Sequence, residues 1–244
     1  LIKSLNRGFI SRKAFEYEEL SKHYNFPLKI FKSKRNKRAI IRISRIERVV
    51  KLSVPYNLSA LEAKCFVDLH TNWIERQLIS LGAISEVKPG TVLPFFGVNK
   101  KLLIDKNLNM EFQIEKNLIS FPQSRKAFKD QVKDFFKKTA RNFFSRSCET
   151  YAAKLKTSYF RLNLRDPKTR WGSCSSQGNL MFSWRLIMAP KEICEYVAAH
   201  EVCHLVHLDH SLRFWNKVYA VCPDYKQHRS WLRENGKFLY NYRF

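Results

Sequence analysis

The chain is poor in acidic residues, with 21 Asp and Glu against 45 Lys and Arg and a formal net charge of +24. It has no hydrophobic run approaching the length of a membrane span, which argues against a transmembrane helix. Its opening stretch, from Leu1 to Phe26, lacks the apolar core and small-residue cleavage site of a secretory signal. Six cysteines (Cys65, Cys148, Cys174, Cys194, Cys203, Cys222) form no CxxC pair and no dense framework. That pattern suits reduced, buried thiols, and the expected location is cytoplasmic. There is no internal repeat, no low-complexity tract and no glycine-rich loop of the phosphate-cradling kind.

The shortage of acid is uneven. Between Lys29 and Lys51 stand ten basic residues and only Glu47 against them, whereas from Lys191 to Phe244 eight basic residues face six acidic ones. A basic surface attracts phosphate-rich partners or acidic substrates, and it is also what a solvated sheet face looks like. In the basic stretch Ile41 and Ile43 alternate with Arg42 and Ser44, and Val50, Leu52 and Val54 alternate with Lys51 and Ser53. Period-two alternation predicts a half-buried antiparallel pair with its charges outward. A helix follows, capped at Asn57 or Ser59 and ended by Gly82, with Phe66, Leu69, Trp73, Ile74 and Leu78 as its apolar stripe. Residues 83 to 125 read as short strands with turns at Pro89-Gly90 and Phe96-Gly97. A long basic amphipathic helix is expected from Lys126 to about Lys156, with Val132, Phe135, Phe136, Ala140, Phe143 and Phe144 on one face. After it, Trp171 to Leu186 predicts a hairpin, and Pro190 opens a further helix. The expected fold is α+β. It divides into a poorly defined lead-in over 1–25, a basic β-rich region with one helix over 26–125, and a helical, metal-binding catalytic domain with a short antiparallel sheet over 126–244.

The chemistry gathers in His200-Glu201-Val202-Cys203-His204 and the residues after it. Positions four apart share a helix face, so His200 and His204 can point at one ion. Glu201 stands next to them as general base, the HExxH arrangement of zinc hydrolases. A third imidazole, His210, lies six residues beyond His204. An unbroken helix would carry it about 9 Å along the axis, so the helix must end near Val206 to Asp209 and the chain must turn back. Metzincins place a glycine at that bend; here His207 occupies it, and Asp209, which tolerates a left-handed backbone, is a candidate for the turn. Catalytic zinc needs three protein ligands and an open position. His207 as a fourth ligand would close the site, so it reads better as a substrate contact or surface residue. Asp224 and Glu234 are alternatives to His210 as third ligand. Arg170 is a candidate for stabilising an oxyanion, and Trp171 for contacting substrate.

Several motifs together resemble the YgjP-like metallopeptidase family, distant relatives of the SprT and WLM zincins. They are Arg170-Trp171-Gly172-Ser173-Cys174, Trp184-Arg185-Leu186 with Ala189-Pro190, Tyr196-Val197, the His200 to Leu205 segment, His210-Ser211, Phe214-Trp215 and Pro223-Asp224-Tyr225. The Ser33-Lys34-Arg35 stretch and Trp73-Ile74 extend the likeness over roughly Phe26 to Gly236. The resemblance implies a zincin-type C-terminal domain, Zn2+ held by His200, His204 and His210, and peptidase activity on a peptide or protein. It does not call for glycine at 207. Two other readings use the same residues: a zinc-dependent hydrolase of nucleotide phosphoanhydrides, and a nucleic-acid-associated protein whose zinc is structural.

Overall fold

The α+β expectation holds, and among the described residues it is realised as several small sheets and six helices. The structure, a computed structural model, describes residues 12–44, 46–109 and 111–244. Their contacts group the chain into two units, Leu1–Gly82 and Ala83–Phe244.

In the first unit, part of the expected lead-in is regular structure. Residues 1–11 lie outside the described residues, but Arg12–Lys22 forms helix α1. The alternating segments pair as predicted, β2 (Ile40–Ser44) running antiparallel to β3 (Val49–Pro55). The sequence reading did not resolve a third strand, β1 (Leu28–Ser33), parallel to β3 on its other side. Val50, Leu52 and Val54 point to one face and are fully buried. The register sets Lys29 opposite Lys51 and Lys51 opposite Arg42 on the other face, which gives the basic excess its outward row. Helix α2 (Ala60–Ile79) starts at a capping box in which Ser59 and Glu62 exchange hydrogen bonds. Its buried face is Ala63, Val67 and Ile74, with Phe66 and Leu78 packed against the same core; of the predicted stripe, Leu69 is 82% and Trp73 41% exposed. Two overlapping apolar rows share this helix, and the sheet takes the smaller residues.

The second unit runs from β4 (Ser85–Glu86) to β12 (Tyr242–Arg243), which pair with each other. Strands β5 (Val92–Phe95), β6 (Val98–Asp105), β7 (Gln113–Ile114) and β8 (Leu118–Pro122) form one sheet in the order β5-β6-β8-β7. Its Leu93, Phe95, Leu102, Ile119 and Phe121 bury against Val132, Phe135 and Phe136 of α3 (Phe128–Lys154), in one core with the helix that carries His200. The division therefore falls at Gly82 rather than at 125, because these strands lack a core of their own. The predicted turn at Phe96-Gly97 has φ of 48° and 77°, the left-handed pair that suits a two-residue hairpin. That turn docks on the start of the helix that carries His200. Phe96 N–H donates to the Ile187 carbonyl at 2.7 Å, and a Cβ on Gly97 would sit 3.0 Å from Pro190.

The sheet next to the site has three strands, in the order β10 (Gly172–Cys174), β11 (Asn179–Ser183), β9 (Arg161–Arg165). The predicted hairpin is the antiparallel β10–β11 pair, but β9 runs parallel to β11, so the sheet is mixed rather than antiparallel. The expected strand through Leu186 stops at Ser183, and Trp184–Met188 coils into a 3-10 turn. This swings Arg185 to the chain's end. Its guanidinium holds Asp166 through two bonds (2.7 and 3.1 Å) and donates to the Leu239 and Tyr242 carbonyls at 3.2 and 3.0 Å. Helices α4 (Lys191–Cys203), α5 (Leu212–Val221) and α6 (Tyr225–Asn235) complete the unit.

Candidate metal centre

Helix α4 is apolar on most of its circumference, with Ile193, Val197, Ala198, Val202 and Cys203 buried. Buried on that side, the helix turns His200 and His204 toward the remaining open face. It ends at Cys203, three residues before the Val206 to Asp209 range expected for the break, and His204 is its C-cap. The chain reverses through tight turns, with Val206 and His207 N–H both bonding the Cys203 carbonyl at 3.0 Å. No residue from His204 to His210 has a positive φ. The bend therefore needs neither glycine at 207 nor a left-handed Asp209, which corrects the role proposed for Asp209. Its Oδ1 instead accepts from Ser211 N–H at 3.3 Å, just ahead of α5.

The reversal brings His210 back. Ligand atoms of His200, His204 and His210 all lie within 4.8 Å of one another. The Nε2 atoms of His200 and His210 are 3.2 Å apart. Two nitrogens about 2.0–2.1 Å from one tetrahedral ion would be separated by roughly 3.3 Å, so the spacing fits a shared cation. His204 Nδ1 lies 2.9 Å from the His207 carbonyl. With Nδ1 donating there, its Nε2 presents a lone pair, the outer-shell contact that orients a metal-binding imidazole. Burial and the neighbouring imidazoles push His200 down to about 3, and burial lowers His204. Both rings are therefore neutral at physiological pH, the form that binds metal. Phe214 lies beneath the cluster, with ring centroids 4.3 Å from His204, 4.9 Å from His210 and 5.0 Å from His200.

Glu201 is 6% exposed. Burial pushes its carboxyl up to about 8, and only the charge of Arg170 pulls the other way. The carboxyl rests on the backbone of β10: a Cβ on Gly172 would stand 2.5 Å from Oε1 and 2.7 Å from Cδ. This close approach is the physical meaning of the glycine in Arg170-Trp171-Gly172-Ser173-Cys174. Trp171 is half-buried, its ring against Tyr240 at 5.3 Å and over Gly236, where a Cβ would stand 2.8 Å from Cζ2. Gly236 thus makes room for Trp171; its φ of −55° is helical.

Other predicted residues separate at this point. Asp224 and Glu234 are not in the ligand group, which among the described residues holds the three histidines alone. His207 contributes its backbone carbonyl to His204 rather than its ring to that group. Arg170 is exposed and acts on Glu201 through its charge. Sequence reasoning missed Arg229 on α6, which lines a cleft with Trp171, Gly172, His200 and Glu201. Nothing in its spacing marks it, because its guanidinium reaches the site by stacking 4.9 Å from the Trp215 ring, a tertiary contact.

No curated protein and no solved structure matches the chain. Residues 37–235 match the model of the YgjP-like metallopeptidase domain, close to the span over which the motifs resemble that family. This chain belongs to the YgjP-like metallopeptidase family.

Proposed function

We propose that the protein is a zinc-dependent peptidase in which His200, His204 and His210 hold the metal and Glu201 is the general base. Family membership supports the coarser statement, a metal-dependent peptidase acting on a peptide or protein. The observation that carries the finer reading is the 3.2 Å approach of two imidazole Nε2 atoms beside a third histidine and a buried glutamate. Three imidazoles suit zinc and leave a coordination position open. Zinc, when bound, supplies Lewis acidity toward a carbonyl oxygen and toward water.

The chain's own residues do the rest. A carboxyl raised toward 8 by burial is held ready to accept a proton, and a cation at the histidines favours its ionised form. Glu201 takes the proton of the attacking water and delivers it to the leaving amine. Gly172 fixes where that carboxylate stands. Arg170 offers positive charge on the same side, suited to a developing oxyanion. Strand β10 is the edge of its sheet, so its outer backbone groups can pair with an extended peptide and lay it past the histidines. Family membership favours this peptide over the phosphoanhydride and nucleic-acid readings.

The test is a peptide library incubated with the purified protein and read by mass spectrometry. Cleavage should stop on chelation and return with zinc. Cleavage that survives complete removal of metal would contradict the assignment.

A further inference from the structure

Two clefts flank the histidines, and they differ in charge. One, of about 450 Å³, includes His204, Leu205, Leu208, Phe160 and the Ser175–Gly178 turn, and no Lys, Arg, Asp or Glu lines it. The other, of about 270 Å³, is lined by Trp171, Tyr196, His200, Glu201, Arg229 and Arg233 among others. Its only acid is Glu201, the group already assigned to proton transfer.

Arg229 is not placed as a loose surface charge. Its guanidinium lies 4.9 Å from the Trp215 ring centroid, and Trp215 in turn stacks on Tyr225 at 5.2 Å and 18°. A stacked guanidinium has less freedom to lose on binding and keeps its planar donors available. Among the described residues no carboxylate forms an ion pair with Arg229. Arg233 donates to Ser230 Oγ at 3.3 Å and, among the described residues, its ion-pair partner is the adjacent Glu234, at 3.9 Å and with both side chains largely exposed. The positive charge of Arg229 already reaches His200 and Tyr196 across the cleft. A cationic side chain entering here would meet two guanidinium groups, whereas a carboxylate would find the Arg229 donors without a carboxylate partner among the described residues.

We propose that this cleft is a specificity pocket for a carboxylate of the substrate, held by Arg229 with Arg233, next to the bond that is cut. The carboxylate is either an Asp or Glu side chain or the peptide's own C-terminus; both have the same chemistry. The inference rests on the peptidase reading, which supplies the neighbouring site, and it makes the enzyme selective for substrates that carry a carboxylate next to the bond that is cut. The uncharged cleft on the other side imposes no such demand.

The test uses peptides that differ at one position near the scissile bond (Glu, Gln or Lys), each with a free and an amidated C-terminus. With the zinc-loaded full chain, kcat/KM for Glu should exceed that for Gln by about 10- to 100-fold at one position, the range of a charge-assisted hydrogen bond. If the C-terminus is the ligand, amidation should cause that loss instead. Arg229→Gln should bring the ratio close to one, and Arg229→Glu should reverse it in favour of Lys. Circular dichroism and thermal unfolding should show both variants folded, since the side chain is exposed. Equal cleavage of the Glu and Gln peptides and of the free and amidated forms, or a preference unchanged by Arg229→Gln, would overturn the proposal.

A binding arm separates this inference from the peptidase reading. Peptide binding to zinc-loaded Glu201→Gln protein can be followed by the fluorescence of Trp171 and Trp215. Carboxylate-selective binding that depends on Arg229, without turnover by the wild type, would keep the pocket and end the peptidase reading. Turnover without carboxylate selectivity would do the reverse. The absence of both selective binding and selective cleavage would overturn the pocket.

Discussion

Replacing Gly172 by alanine puts a methyl carbon where the Glu201 side chain stands. That carbon would lie 2.5 Å from Oε1, 2.6 Å from Cγ and 2.7 Å from Cδ. Ordinary contact between such atoms begins at about 3.4 Å, so the carboxyl must retreat by roughly 1 Å. It cannot swing into solvent, because Glu201 is 6% exposed and Val202 and Cys203 beside it are fully buried. Either β10 or the glutamate must move, and overpacking of this kind costs about 1–3 kcal/mol. The loss of activity should be larger than the loss of stability. A 1 Å misplacement of a reacting group is worth about 100-fold in rate, while three unmoved histidines keep the metal. Zinc content and kcat/KM on a cleaved peptide, with a thermal melt, check this together. Gly172→Ala should retain zinc, melt about 2–12 °C lower and turn over about 100-fold more slowly. Activity within about threefold of wild type would show that the close approach does not position Glu201.

His210→Ala should weaken zinc binding by more than the 10- to 100-fold typical of losing an outer-shell partner, whereas Asp224→Asn and Glu234→Gln leave it unchanged; competition with a chelator measures all three. Burial raises Glu201 from 4.5 to about 8, so in the metal-free folded chain it keeps a proton that the unfolded chain releases. Its contribution to stability is therefore full below the ordinary carboxyl range and is lost as pH rises toward 8, by at most about 1.4 kcal/mol per pH unit. Melts of metal-free wild type and Glu201→Gln across that window should converge or cross in this sense, and a difference independent of pH would refute it. Arg185→Ala removes the bonds to Asp166 and to the Leu239 and Tyr242 carbonyls and should cost about 2–3 kcal/mol. Arg185→Lys should not restore the loss, because an ammonium cannot reproduce the planar fork; denaturant unfolding reads both.

Local pattern carried the parts of this fold that local forces decide. The β2–β3 pair follows from strict alternation, and the start of α2 follows from Ser59 and Glu62. The length and buried face of α3 also follow from its phenylalanines. What the pattern missed depends on partners distant in sequence. Strand β1 joins β3 in parallel, and β11 gives way to a 3-10 turn at Trp184, from which Arg185 reaches Asp166 and the chain's last residues. On α2 two apolar rows compete, and only the sheet beneath shows that Val67 rather than Leu69 is inside.

At the site, the histidine spacing implied a shared ion and a bend before His210, and the structure brings the three rings together. The position of the bend was not legible, because it is made by ordinary turns bonding to the Cys203 carbonyl rather than by a left-handed residue. The motif glycine was visible, but its reason, the contact with Glu201, is a meeting of strand and helix. Arg229 left no trace in the sequence, since its position depends on the Trp215 ring.

The most direct test of the central claim compares zinc-loaded wild type with Glu201→Gln on one peptide mixture by mass spectrometry. The account predicts that both proteins hold about one zinc per chain and that only the wild type cuts. Equal cutting by the two proteins would contradict it.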